Sequence, residues 1–151
     1  LNCVAKQPEI LLRKKAPIII TPHPGEMSRL TGLATPLVNA ERERVALDFA
    51  QKYGVVTVLK GAGTVIASPN GKVLVNPTGN SGMATGGSGD VLAGMTASIL
   101  AQGASAFSSA AAAVYLHGLA GDIAAEKYGK ISMLPTDLIN CIPLAYKRCG
   151  F

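Results

Sequence analysis

Thr85-Gly86-Gly87-Ser88-Gly89-Asp90 carries the strongest chemical signal in this chain. Glycines let the backbone bend sharply and bring amide N–H groups close to an anion without interference from Cβ atoms. A helix beginning at about Asp90 adds unpaired N–H donors and a partial positive charge at the same place. Together these features make a phosphate cradle, and an oxyanion hole for charge that develops during phosphoryl transfer. The pattern is neither GxxxxGK[ST] nor GxGxxG after a strand. Asp90 admits two roles. It can simply cap the helix, or its carboxylate can take a proton from a hydroxyl that attacks phosphorus.

Two other segments hold candidate groups. In Thr21-Pro22-His23-Pro24-Gly25-Glu26, His23 and Glu26 could share a metal, but without a third ligand the signal is weak. The loop follows a predicted parallel strand, where α/β sheets bind ligands; a plain structural reading is also available, in which its prolines and glycine shape the turn and Glu26 starts the helix. Lys60-Gly61-Ala62-Gly63-Thr64 closes a second predicted strand in the same way. Its lysine could pair with a phosphate and its glycines could make room for a base or ribose, or it is a plain strand-to-hairpin turn. His117 in an alanine-rich helix reads as a satisfied core or interface histidine, and Met83 and Met95 as packing residues.

The elements that must position these groups follow from periodicity and punctuation. Val4–Lys15 reads as a short helix with a basic last turn, and Ile18–Thr21 as a buried parallel strand. Glu26–Leu30 is a helical turn closed by Gly32. Asn39 is the expected cap of a helix over Ala40–Tyr53, ended by Gly54, with Val45, Phe49 and Tyr53 on one face. Val55–Leu59 is a second buried strand. Thr64–Ala67 and Lys72–Val75 form a hairpin about Asn70-Gly71. Helices follow from about Asp90 to Gln102, from Ser108 or Ser109 to Lys127, and from Pro135 onward, with Pro143 kinking the last. Helix followed by all-apolar strand, twice over, is an α/β signature.

Composition narrows the classes. The chain has 151 residues, 48% hydrophobic and 15% charged, which excludes disorder. No apolar run is long enough for a membrane span. The net charge of +5 is spread over few residues, with only Arg13-Lys14-Lys15 and Lys147-Arg148 clustered, so no nucleic-acid-binding stripe is present. Cys3, Cys141 and Cys149 are an odd set without metal-ligand spacing, which suits reduced thiols in a cytoplasmic protein. The chain begins Leu1-Asn2-Cys3 with no secretory signal pattern, and it reads as the C-terminal portion of a longer protein.

Taken in order, these segments resemble the nucleotide-dependent NAD(P)H-hydrate dehydratases of the ribokinase-like superfamily. The carrying residues are TPHPGEMSRL over 21–30, KGAGT over 60–64 and NPTGNSGMATGGSGDVLAG over 76–94. The resemblance implies a ribokinase-like α/β fold, a mainly parallel sheet flanked by helices, with residues 1–151 forming one domain that lacks its N-terminal part. It implies repair of NADH or NADPH hydrated on the nicotinamide ring. ADP (or ATP) phosphorylates the hydroxyl, and loss of phosphate restores the cofactor. On that basis Asp90 is the base and also touches the substrate. Gly86, Gly87, Ser88 and Gly89 hold the transferred phosphate, with Gly89 also near the nucleotide. His23 contacts the hydrated dinucleotide, and Lys60, Gly61, Ala62, Gly63 and Thr64 lie along the nucleotide with Asn80 nearby. Mg²⁺ shields the phosphates without a dedicated protein site, and the family tends to form homotetramers.

The length departs from the family, whose members are substantially longer and carry their first strands before the position of Leu1. The resemblance also allows an epimerase domain before Leu1. The runner-up is a kinase of the same superfamily acting on a vitamin-precursor alcohol, against which the His-Pro-Gly-Glu loop argues. A third reading is a silent nucleotide-binding module, against which the intact Asp90 and glycine loop argue.

Overall fold

A computed structural model describes residues Leu1–Phe151, which divide into two compact units, Leu1–Asn76 and Pro77–Phe151. The first unit begins with α1 (Asn2–Ala5) and a 3₁₀ turn (Pro8–Arg13) where one helix was expected over Val4–Lys15. Pro8 is the reason. It has no N–H to give the Val4 carbonyl and opens a new turn instead.

Strand β1 (Ile19–Ile20) leads into α2 (Pro24–Thr31), which Gly32 closes in the left-handed conformation. The helix expected over Ala40–Tyr53 is in fact two. Pro36 helps open α3 (Thr35–Ala40), and the chain breaks at Glu41 before α4 (Arg42–Tyr53). Asn39 therefore lies inside α3 and caps nothing. The Glu41 N–H closes α3 on the Leu37 carbonyl, while its own carbonyl accepts the first α4 bond from Val45.

Strands β2 (Val56–Leu59), β3 (Val65–Ala67) and β4 (Val73–Val75) complete a sheet of order β1-β2-β3-β4. The β1–β2 pair is parallel, with Ile19 opposite Val56 and Ile20 opposite Thr57. The β2–β3 and β3–β4 pairs are antiparallel, so the sheet of this portion is mixed. Asn70-Gly71 makes the β3–β4 turn as expected, with the Ser68 N–H donating to the Lys72 carbonyl at 2.9 Å. Every β2 residue is buried. Val45, Ala46, Phe49, Ala50 and Tyr53 on one face of α4 share a core with Leu59 and Val65.

The second unit is helical. A 3₁₀ turn (Ser81–Met83) precedes α5 (Ser88–Ala101), α6 (Ala106–Tyr128) and α7 (Pro135–Arg148), the last running on through Pro143. Helix α6 packs against both α5 and α7. Its buried face is built from small residues, Ala110, Ala113, Ala120 and Ala124 among them, which permits close approach. The cysteines are unpaired, and no helix is long and apolar enough to cross a membrane.

Close approach is most severe at Gly118. A Cβ there would lie 2.2 Å from Thr78 Oγ1 and 2.8 Å from the Thr78 carbonyl carbon. Gly118→Ala must therefore push the segment about Thr78 away from α6. It is expected to lower unfolding free energy by about 1–3 kcal/mol, measured by urea denaturation.

Candidate functional site

In the first unit, the carboxyl ends of the parallel pair present two loops side by side. The Lys60 N–H donates to the Pro22 carbonyl at 2.8 Å, tying the loop after β2 to the loop after β1. The edge beyond the carboxyl ends of parallel strands is where open α/β sheets bind ligands.

His23 sits at the N-cap of α2. Its Nδ1 accepts the N–H groups of Gly25 (3.1 Å) and Glu26 (3.3 Å), and Glu26 Oε2 accepts the His23 N–H at 2.9 Å. This reciprocal capping box satisfies helix-start donors that would otherwise have no partner. With Nδ1 occupied as an acceptor, the ring proton of the neutral form is on Nε2. That atom is 3.5 Å from Glu26 Oε2, and the side chain is 52% exposed, so Nε2 is the ring nitrogen open to solvent, with a carboxylate beside it. The structural and ligand-contacting readings of His23 are thus compatible, because they use different nitrogens.

In the loop after β2, Lys60 is half-buried and Gly61, Ala62 and Gly63 are exposed. Thr64 Oγ1 donates to the Gly61 carbonyl at 3.0 Å and closes the turn. Arg42 Nη2 donates to the Leu59 carbonyl at 2.8 Å and lies 3.5 Å from that of Gly63. The N–H groups of Gly61, Ala62 and Gly63 find no acceptor in the chain. An open cavity of about 440 Å³ is lined by Ala62, Gly63, Arg42, Val65 and Val75, among others.

The second unit holds the other candidates. Gly87, at φ 99°, is the residue from which α5 starts, two residues earlier than expected at Ser88. The N–H groups of Gly86, Gly87 and Gly89 have no acceptor in the chain, whereas those of Asp90 and Val91 bond back to the Gly87 carbonyl. Nothing lies within 4 Å of the place a Gly86 Cβ would take. Asp90 is exposed in the first turn of α5, beside these free donors. Three unengaged amides at a helix N-terminus can hold an anion. Ser88 differs from its neighbours. It is buried, its hydroxyl has no hydrogen-bond partner, and its carbonyl accepts from His117 Nε2 at 2.9 Å. His117 is thus a partnered core residue that fixes the first turn of α5.

Asn80 is spent locally. Its Oδ1 accepts from the Gly82 N–H (3.0 Å), while Nδ2 donates to the Gly121 carbonyl (3.0 Å) and to Asp122 Oδ1 (2.9 Å). The other oxygen of Asp122 accepts the Gly79 N–H at 2.9 Å. Asp122 was not evident from the sequence. The available signal was a carboxylate after Gly121 in an otherwise apolar helix, a place where charge is rare without a partner.

No three His, Cys, Asp or Glu side chains gather into a metal site.

The comparisons agree in direction. A family model described as NAD(P)H-hydrate dehydratase matches residues 1–144. The chain is similar to the bifunctional NAD(P)H-hydrate repair enzyme of Moorella thermoacetica, 46% identical over 148 residues, covering 98% of this chain and 28% of that protein. It is also similar to the ADP-dependent (S)-NAD(P)H-hydrate dehydratase of Bacillus subtilis, 37% identical over 136 residues, covering 90% of this chain and 49% of that one. Among solved structures, the ADP/ATP-dependent NAD(P)H-hydrate dehydratase of Bacillus subtilis, co-crystallized with ATP/Mg²⁺, gives a TM-score of 0.84 at 38% identity over 87% of this chain and 48% of that chain. The chain therefore spans between about a quarter and half of the length of these relatives.

Asp122→Ala would remove the partner of the Gly79 N–H and one of the two acceptors of Asn80 Nδ2. Losing hydrogen bonds to a charged acceptor is expected to cost about 1.5–3 kcal/mol, and amide hydrogen exchange at Gly79 and Gly82 should quicken while that of α7 stays unchanged.

Proposed function

The chain belongs to the NAD(P)H-hydrate dehydratase family, and on that premise we propose that it carries the phosphate-handling chemistry of an ADP-dependent dehydratase acting on hydrated NADH or NADPH. The observation that supports this most is the set of unengaged amides at Gly86, Gly87 and Gly89, followed by the exposed carboxylate of Asp90.

In this reading Asp90 accepts the proton of the ring hydroxyl while that oxygen bonds to the terminal phosphorus of ADP and the bond to AMP breaks. The negative charge that develops on the transferred phosphoryl oxygens falls on the amides of Gly86, Gly87 and Gly89, preorganised before the reaction begins. Ser88 contributes through the turn it belongs to, because its hydroxyl is buried. Phosphate then departs with its electron pair, a proton is lost from the ring, and the dihydronicotinamide is restored. Hydroxide is a poor leaving group and phosphate a good one, which is why ADP is consumed. Mg²⁺ on the phosphates would shield their charge.

Lys60, Gly61, Ala62, Gly63 and Thr64 take the nucleotide, with three free amides and a lysine to offer it. Asn80 serves by holding the turn at Gly82 in shape. His23 offers Nε2 to the hydrated dinucleotide. Both units belong, in this proposal, to one ribokinase-like domain, since the family match runs across 1–144. A cytoplasmic location and a homotetramer complete the reading, by family likeness; light scattering on the full-length protein checks the latter.

The test is incubation of the full-length protein with hydrated NADH, ADP and Mg²⁺, following recovery of reduced-nicotinamide absorbance. Phosphorylation of an added alcohol without recovery would make it a kinase, and nucleotide binding without turnover a silent module. Asp90→Asn is expected to bind ADP normally and lose about 10²–10⁴-fold in kcat, the usual worth of a general base. Near-normal turnover in that variant would remove Asp90 from the base role.

A further inference from the structure

Arg42 is anomalous in the first unit. It is half-buried at the start of α4, yet no carboxylate pairs with it, because the adjacent Glu41 is bound to Arg44. Burial strips water from the guanidinium and pushes its pKa below the ordinary arginine value. Its Nε is buried without an acceptor. A desolvated, unpaired cation is costly unless its remaining donors are used.

They are used on the loop after β2. Nη2 donates to the Leu59 carbonyl at 2.8 Å and approaches the Gly63 carbonyl at 3.5 Å. These carbonyls stand on either side of Lys60-Gly61-Ala62, so one cation draws both ends of the turn together. Gly61, at φ 144°, packs against the same group, and a Cβ there would lie 3.0 Å from Nη1. Apart from the Thr64 bond to the Gly61 carbonyl, the turn has no side-chain hydrogen bond of its own. Its amides at Gly61, Ala62 and Gly63 stay unengaged. Binding through such amides requires the backbone to be held in place beforehand, since ordering a free loop costs affinity.

We propose that Arg42 is a positioning residue for nucleotide binding: its guanidinium clamps the Leu59 and Gly63 carbonyls and so presents the Gly61–Gly63 amides to a nucleoside diphosphate. This rests on the reading that Lys60–Thr64 takes the nucleotide. Arg42 does not touch the reacting atoms, so it governs affinity for ADP and leaves the chemical step alone. Lysine replaces it only in part: both contacts come from one nitrogen, Nη2, and an ammonium on a flexible stem can donate to two carbonyls but lacks the rigid planar group that fixes Nη2 and packs against Gly61.

The experiment uses the full-length protein with Arg42→Ala, Arg42→Lys and Gly61→Val, measuring kcat and KM for ADP at saturating hydrated NADH, and ADP binding by calorimetry. Arg42→Ala is expected to raise KM and Kd for ADP about tenfold to hundredfold, the effect of losing charge-assisted hydrogen bonds, with kcat changed less than about threefold. Arg42→Lys should fall between it and wild type, and it decides the matter if the alanine variant does not fold. Gly61→Val, which deforms the loop directly, should raise KM for ADP as well. Unchanged ADP affinity in the Arg42 variants beside a weakened Gly61→Val overturns the clamp and keeps the loop reading. Unchanged affinity in all three overturns the loop reading itself. A fall in kcat with KM for ADP intact also overturns the clamp.

Discussion

A glycine-rich segment has no side chains to pack and few internal hydrogen bonds, so whatever shape it holds must be imposed from outside. This constraint governs both units. In the second, one carboxylate, Asp122, grips the Gly79 N–H and the Asn80 amide, and Asn80 in turn fixes Gly82. His117 holds the Ser88 carbonyl where α5 begins. In the first, the Arg42 guanidinium and the Pro22 carbonyl do the same for the loop that follows β2.

The partners chosen for this task have a common logic. Each restrains a loop from behind by taking a carbonyl, an amide outside the cradle, or a neighbouring side chain. The donors at Gly61, Ala62 and Gly63, and those at Gly86, Gly87 and Gly89, are left unengaged. Free amides in a restrained backbone are what an anionic ligand needs, because the ordering entropy has been lost before the ligand arrives. The helix macrodipole of α5 adds to this at its N-terminus. Small residues on α6 serve the same end mechanically, since Gly118 and Gly121 leave no room for a Cβ beneath Thr78 and Met83.

Much of the local geometry around the candidate site was legible in the residues. The glycine run into α5 announced a stretch of unengaged amides, and Asp90 stands exposed beside it. The Asn70-Gly71 hairpin and the buried β2 strand were equally plain, because turn chemistry and an unbroken β-branched run are local signals. What failed was also local, but overruled. Pro8 split the first predicted helix, and α3, with Pro36 near its start, absorbed Asn39 and moved the start of α4 to Arg42. The sheet of this portion is mixed because a two-residue turn chemistry at Asn70-Gly71 and the return from β2 through a short loop can only reverse the chain.

The sequence by itself determined which backbone stretches would be free of side chains, and which acids and bases stand next to them. Those are properties of composition and short-range spacing. Only the tertiary structure decided what holds these stretches. Asp122 is 42 residues from Asn80, and Arg42 is 21 residues from Gly63. The cap at His23 is by contrast local, since its Nδ1 accepts from Gly25 and Glu26, two and three residues on. Long-range pairing of a single charge with a backbone group leaves no periodic trace in a sequence, because any polar residue can occupy such a position until the fold brings its partner to it.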